Sequence, residues 1–159
     1  KSEKIEEISG TEIRDFSQYI SKKNDNFEFL FVKVDDLTPK EKEVFNTHLF
    51  FLKLLEKVTQ NVKNIMVSET MQRDVFTYLP CEGIWDSSSN SIIIKRTVLE
   101  DRKRFISVLL HEIAHSFNNA NDSTRYFEND LTDLLGIIGE KTFLYVYKIK
   151  LMEDKLTKK

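Results

Sequence analysis

The stretch LLHEIAHSF, residues 109–117, constrains the fold most strongly because it carries two of the three histidines of the chain. On an α-helix, His111 and His115 lie roughly 40° apart and about 6 Å along the axis, so both imidazoles leave the same side. The other face gathers the apolar residues Phe105, Ile106, Leu109, Leu110, Ile113 and Phe117. The pattern predicts a helix over 101–118 that is buried on one side and presents two imidazoles on the other.

The spacing of these imidazoles suits a catalytic zinc ion, which takes histidine nitrogens at about 2.0–2.1 Å. Such a site uses three protein ligands and leaves the fourth position to water. Glu112 stands about one residue's rotation to the side, where its carboxylate can accept a proton from that water without binding the metal. A helix with two surface histidines is the alternative interpretation. The apolar residues that flank the motif favour the zinc site.

The third ligand is sought among the carboxylates that follow the second histidine. Glu128 lies at the edge of an apolar stripe on the next predicted helix, where a carboxylate has to be satisfied by a cation or by hydrogen bonds. The alternative is an exposed glutamate, or one paired with Arg125. Thr124 and Thr132, one turn on either side of Glu128, could orient its oxygens. Asp122 is the other candidate, although DST is typical of a helix N-cap. His48, the remaining histidine, is predicted to be structural.

Composition places the chain among single-domain globular proteins. It has 159 residues, of which 40% are hydrophobic and 31% charged, and a formal net charge of −2, so it shows no basic signature of a nucleic-acid partner. The single cysteine, Cys81, excludes an internal disulfide and favours a reducing compartment, and YLPCEG lacks the setting of a nucleophile. No apolar run reaches membrane-spanning length. The chain starts at Lys1, and we expect a cytoplasmic piece of a longer protein, with a neighbouring domain.

The order of elements predicts an α+β fold, with strands early and helices late. Residues 1–25 are expected to form a charged helical arm or linker, and residues 26–159 a single domain. In that domain we expect strands at 27–34 and 64–70, a helix from the Thr38–Pro39–Glu41 capping box to about Val58, a hairpin at 83–96, helices at 101–118 and 123–138, and a last helical or mixed segment.

With HEIAH on one helix and a glutamate on the next, the chain resembles the zincin metallopeptidases whose third ligand is a glutamate, the gluzincins. The stretch GIWDSSSNSIIIKR…LLHEIAHSFNNANDSTRYFENDLTDLLG is similar to the metallopeptidase domain that follows a gyrase/histidine-kinase-type ATPase domain in some bacterial proteins. The likeness covers roughly residues 35–139. It implies a small mixed sheet packed on the active-site helix and followed by further helices. By position, His111, His115 and Glu128 would bind zinc and Glu112 would be the general base. The interval from His115 to Glu128 is shorter than in thermolysin-like gluzincins.

The resemblance also implies where a substrate would bind. In zincins an edge strand lines the cleft, so a peptide would pair with the strand Ile92–Ile94; a plain core strand is the alternative. An oxyanion donor could come from Arg125, Tyr126 or Tyr145. The function predicted is therefore a zinc-dependent peptidase acting on peptides or proteins. The competing hypotheses are a zincin-fold regulatory or protein-binding module and a metal hydrolase of non-peptide amides.

Overall fold

The computed structural model describes residues 6–8, 11–13, 16–25, 27–75 and 77–156. These residues form six strands, β1 (Glu6–Ile8), β2 (Thr11–Ile13), β3 (Phe31–Val32), β4 (Asn64–Ser68), β5 (Gly83–Asp86) and β6 (Ser91–Lys95). They also form five α-helices, α1 (Phe16–Asp25), α2 (Pro39–Phe45), α3 (Thr47–Leu54), α4 (Arg102–Asn118) and α5 (Arg125–Leu156). Short 3₁₀ turns lie at Val34–Asp36 and Arg96–Glu100. The fold is α+β, as the order of elements predicted.

A four-stranded mixed sheet has the order β3-β4-β6-β5. Strand β6 pairs parallel to β4, with Ile92 opposite Ile65, and antiparallel to β5, with Ile92 opposite Trp85. The predicted hairpin at 83–96 is confirmed. The prediction that a peptide pairs along Ile92–Ile94 is wrong, because β4 and β5 occupy both edges of β6. Its three isoleucines are at most 2% exposed and belong to the core.

The helix predicted from Thr38 to Val58 begins as expected but divides in two. Thr38 Oγ1 accepts from the Glu41 N–H at 3.3 Å, and the Glu41 carboxylate accepts from the Thr38 N–H at 2.7 Å, which confirms the capping box. The chain then turns at Asn46 between α2 and α3. Both α2 and α3 contact α4, so the two short helices pack on the same core.

The first 25 residues are only partly helical. Helix α1 agrees with the prediction, and Ile20 anchors it with an exposure of 4%. Residues 6–8 and 11–13 instead pair as two antiparallel strands, so the helical prediction was wrong there. The predicted boundary between an arm (1–25) and a domain (26–159) stays a prediction.

Helices α4 and α5 pack against each other, and α4 also packs on β5 and β6. The apolar face predicted for α4 is confirmed at Phe105, Leu109 and Ile113, which are fully buried. Helix α5 is one continuous helix through the segment predicted as helical or mixed. Among the described helices, none combines the length and the apolar character that crossing a membrane requires.

Candidate metal centre

Helix α4 delivers both histidines of the HEIAH motif to one place. Its first turn is capped by Asp101, whose carboxylate accepts from the N–H groups of Lys103 and Arg104. Its last turn ends at Asn119, which adopts φ 52° and donates its N–H to the carbonyl of His115. The buried apolar face fixes the rotation of the helix, and the side chains of His111 and His115 remain 41% and 13% exposed.

The loop after α4 brings a carboxylate to the two imidazoles. The Nε2 atoms of His111 and His115 are 3.2 Å apart, and Oδ1 of Asp122 lies 3.2 Å from the first and 3.3 Å from the second. The three atoms form a nearly equilateral triangle. Among the described residues, His111, His115 and Asp122 are the group whose ligand atoms lie close enough together to hold one metal ion.

The size of this triangle fits zinc. Ligand atoms at about 2.0–2.1 Å from a tetrahedral ion are separated by about 3.3–3.4 Å, which follows from the tetrahedral angle. The distances of 3.2–3.3 Å differ from that value by about 0.1 Å. Two imidazole nitrogens and one carboxylate oxygen are also donor types that zinc accepts. The residues present therefore fit the metal that the resemblance implies.

The tautomer of His115 is fixed by the same loop. Its Nδ1 lies 2.6 Å from the carbonyl oxygen of Ala120. Because a carbonyl can only accept, Nδ1 carries the proton, and in the neutral ring Nε2 is left with a free lone pair. This Nε2 atom, with its free lone pair, is the atom that His115 contributes to the triangle. A backbone carbonyl is one of the common partners for the second ring nitrogen of a metal-binding histidine.

Phe127 of α5 holds both imidazoles from behind. Its ring stacks on His115 with centroids 4.2 Å apart and meets His111 edge-on at 4.9 Å. Burial lowers the pKa of His111, the neighbouring His115 lowers it further, and the Asp122 carboxylate opposes both. The neutral ring, which is the form that binds metals, is thereby favoured.

Glu112 lies beside the triangle but faces the sheet. It is 6% exposed, and its carboxylate accepts a hydrogen bond from the backbone N–H of Trp85 on β5. Burial raises the pKa of Glu112 to about 8, and the nearby Asp122 carboxylate adds to the increase. As expected for a residue rotated away from the histidines, it stays outside the group of candidate ligands.

The close approach of Glu112 to the sheet depends on Gly83. A Cβ atom at this position would lie 2.6 Å from Cγ1 of Val108 and 2.7 Å from Oε1 of Glu112. Both distances are shorter than any ordinary van der Waals contact. The missing side chain of Gly83 is therefore what allows α4 and its carboxylate to lie against β5.

Two adjoining clefts of about 350 and 320 Å³ open on either side of this contact. Cys81, Gly83, Glu112 and Asp122 line both, His111 lines the first and His115 the second. Burial raises the pKa of the Cys81 thiol to about 11, with the carboxylates of Asp74 and Glu112 acting in the same direction. The thiol stays protonated, as expected for a cysteine that is no nucleophile.

Glu128, the predicted third ligand, is exposed and lies outside the group formed by the imidazoles and Asp122. Helix α5 is rotated so that Asp130 is 7% exposed and accepts from Asn118, whereas Leu135, on the same side as Glu128, is 61% exposed. The hydroxyls of Thr124 and Thr132 bond to backbone groups. As ligand, Glu128 stays a prediction.

The remaining predicted residues lie in other surroundings. Thr124, and not Asp122, caps α5, since its hydroxyl accepts from the N–H of Phe127 at 3.2 Å, which frees the Asp122 carboxylate. His48 bonds to the carbonyl of Phe45, apart from the site. The candidate oxyanion donors Arg125, Tyr126 and Tyr145 are exposed, and Tyr145 lines a separate groove between α3 and α5. Sequence reasoning missed Trp85 and Gly83, which no helical pattern could identify.

No protein-family model matches the chain, and neither does any solved structure. One relative, an uncharacterized protein of Mycoplasma pneumoniae, is 25% identical over 114 residues, which is 67% of this chain and 30% of the relative. The chain thus spans less than a third of that relative's length. The likeness assigns neither a family nor an activity.

Proposed function

We propose that this chain is the catalytic domain of a zinc-dependent metallopeptidase, with His111, His115 and Asp122 as zinc ligands and Glu112 as general base. The observation that carries the proposal is the triangle of three ligand atoms, 3.2–3.3 Å apart, at the end of a buried helix. Glu128 remains the alternative third ligand that the resemblance implies.

The polarity of the three atoms also supports a cation. Nε2 of His115 is an acceptor because Nδ1 carries the proton, and Oδ1 of an ionised Asp122 is an acceptor as well. Acceptors held this close repel one another unless a positive group lies between them. A divalent ion satisfies all three atoms at once. In the competing arrangement, Nε2 of His111 carries a proton and no metal is needed. Measuring the zinc content of the protein distinguishes the two arrangements.

Zinc bound here would supply Lewis-acid activation of a water molecule and of the substrate carbonyl. Glu112 supplies the proton transfers. Its carboxyl group lines both clefts while the Trp85 N–H bonds to it from the sheet. In its ionised form, whose share grows as the pH rises towards the pKa of about 8, this group can take the proton of the attacking water. As the water oxygen bonds to the carbonyl carbon and the C–N bond breaks, the same carboxylate returns the proton to the leaving nitrogen.

A peptide substrate fits the outer edge of β5, the strand at the end of the described sheet. The N–H of Lys95 donates to the carbonyl of Glu82, so these two residues form a hydrogen-bonded pair. Hydrogen-bonded and non-hydrogen-bonded pairs alternate along an antiparallel ladder, so the backbone groups of Ile84 are the next to bond to β6. Gly83 and Trp85 then direct their backbone groups outward. The Trp85 N–H meets Glu112, and the other outward groups can pair with an extended chain beside the clefts.

The test compares the purified wild-type protein with Glu112→Gln. We expect about one zinc per chain in both, measured by mass spectrometry of the metal, because Glu112 is no ligand. Cleavage of unfolded casein should fall by about 10²–10⁴-fold in the variant, the usual contribution of a general base. Glu140→Gln, at an exposed position on α5, serves as the control. Equal cleavage by Glu112→Gln and wild type would refute the role of Glu112, and a wild type without zinc would refute the metal site.

A protein-binding module that retains the zincin fold is the second candidate. The observation in its favour is the burial of Glu112, which at 6% exposure and with a backbone partner resembles a structural carboxylate. This candidate predicts bound zinc without cleavage of casein by the wild type. The same two measurements therefore distinguish it from the peptidase.

A further inference from the structure

Trp85, the single tryptophan of the chain, contacts both halves of the candidate site. Its backbone N–H, on the outer edge of β5, donates to the carboxylate of Glu112. Its indole Nε1–H donates to Oδ1 of Asn119 at 2.7 Å. One residue thus bonds to the proposed general base through its main chain and to the loop after α4 through its side chain.

The loop that receives this indole, residues 119–122, supplies two of the groups around the metal site. Asn119 donates its N–H to the carbonyl of His115, and the carbonyl of Ala120 accepts from Nδ1 of the same histidine. Asp122 then places its carboxylate against both imidazoles. Moving this loop would change the orientation of His115 and the position of Asp122 together.

The loop needs to be held in place. Asn119, its first residue, and Ser123, directly after it, have φ values of 52° and 61°, which residues other than glycine adopt rarely. The side chain of Asp122 is 58% exposed, so packing restricts it little. A hydrogen bond from an indole that is anchored in a strand removes part of that freedom before a metal binds.

We propose that Trp85 is a positioning residue that fixes the metal loop through its hydrogen bond to Asn119. This inference rests on the proposed zinc site. The loss of partners that orient metal ligands usually weakens metal affinity by about 10–100-fold, and we expect an effect of that size here. Because the backbone of Trp85 is unchanged by substitution, the bond to Glu112 is retained, and the loop alone is affected.

The experiment measures the dissociation constant for Zn²⁺ by competition with a chelator in wild type, Trp85→Phe and Asn119→Gly. Phenylalanine keeps an aromatic ring but has no N–H, and glycine keeps the positive φ of position 119 but has no side-chain acceptor. Both variants should bind zinc about 10–100-fold more weakly. Asn119→Asp, which retains the oxygen acceptor and tolerates positive φ, should restore affinity to within about threefold of wild type.

Two further measurements separate positioning from general stability. Asn61→Ala removes a side-chain bond to the carbonyl of Ser116 in the same helix, outside the loop, and should leave zinc affinity unchanged. In metal-free protein, NMR of the His115 ring should show a mixture of tautomers in Asn119→Gly where the wild type has the proton on Nδ1.

The outcomes are distinct. If the wild type binds no zinc, the proposed function fails and this inference fails with it. If the wild type binds zinc and both Trp85→Phe and Asn119→Gly bind it equally well, the inference alone is overturned. If Trp85→Phe does not fold, Asn119→Gly tests the same hydrogen bond, and its unchanged affinity overturns the inference as well.

Discussion

Replacing Gly83 by alanine tests whether the contact between α4 and β5 positions Glu112. The new Cβ would lie 2.6 Å from Cγ1 of Val108 and 2.7 Å from Oε1 of Glu112. Ordinary contact begins near 3.4 Å, so each neighbour has to move by about 0.7–0.8 Å. Val108 is 8% exposed and Glu112 6%, so neither side chain can move freely.

The displacement has a predictable size in two assays. Overpacking of a dense interior by one methyl group destabilises a protein by about 1–3 kcal/mol, which lowers the melting temperature by about 3–10 °C in a chain of this length. If Glu112 is the general base, a shift approaching 1 Å should reduce casein cleavage by about 100-fold. Zinc content should not change, because the three atoms nearest to the new Cβ belong to Val108 and Glu112, neither of which is a candidate ligand. Differential scanning calorimetry measures the melting temperature, the casein assay measures cleavage, and metal analysis measures the zinc content, all on one preparation.

The same chain provides a matched control. Gly136 lies within α5, and a Cβ there would meet no atom within 4 Å. Gly136→Ala should therefore stabilise the protein by about 1 kcal/mol, because alanine is the better helix former, and leave cleavage unchanged. The reasoning would be refuted if Gly83→Ala melted at or above the wild-type temperature while Gly136→Ala behaved as expected.

Two other predictions concern the third ligand and the acid stability of the fold. Asp122→Ala should weaken zinc binding by more than about 100-fold while Glu128→Ala retains one zinc per chain; the reverse result would make Glu128 the ligand. The hydrogen bond from Arg96 is the main cause that lowers the pKa of Glu41 from 4.5 to about 2. The ionised carboxylate therefore stabilises the fold above pH 4.5, and this contribution is lost as the pH falls towards 2. At 17% side-chain exposure we expect Glu41→Gln to cost about 1–2 kcal/mol at pH 7 and less than half of that at pH 3, by urea unfolding in a chelator. Glu43→Gln, in an exposed pair with Arg102, should cost less than about 0.5 kcal/mol at both values, and an equal loss in the two variants would contradict the argument.

Local patterns were sufficient where the governing interactions are themselves local. Thr38, Pro39 and Glu41 satisfy the first turn of a helix from neighbouring positions, so the start of α2 was predictable. The same holds for the hairpin of β5 and β6 and for the shared side of His111 and His115, which follows from 3.6 residues per turn. The break at Asn46 was not predictable, because it depends on how α2 and α3 share one core.

The sequence by itself determined that two imidazoles and a glutamate would stand on one helix, because helical geometry needs no partner. Tertiary structure decided which strand of the hairpin became the outer one and which carboxylate reached the imidazoles. The buried face of α5 carries Phe127, Leu134 and Asp130, and α5 packs on α4. With this face inward, Glu128 is exposed to solvent. The turn at Asn119 and the indole of Trp85 then set the loop that carries Asp122. The bond from Trp85 to Asn119 joins residues 34 positions apart in the chain, and packing between such distant segments is what spacing along a sequence does not encode.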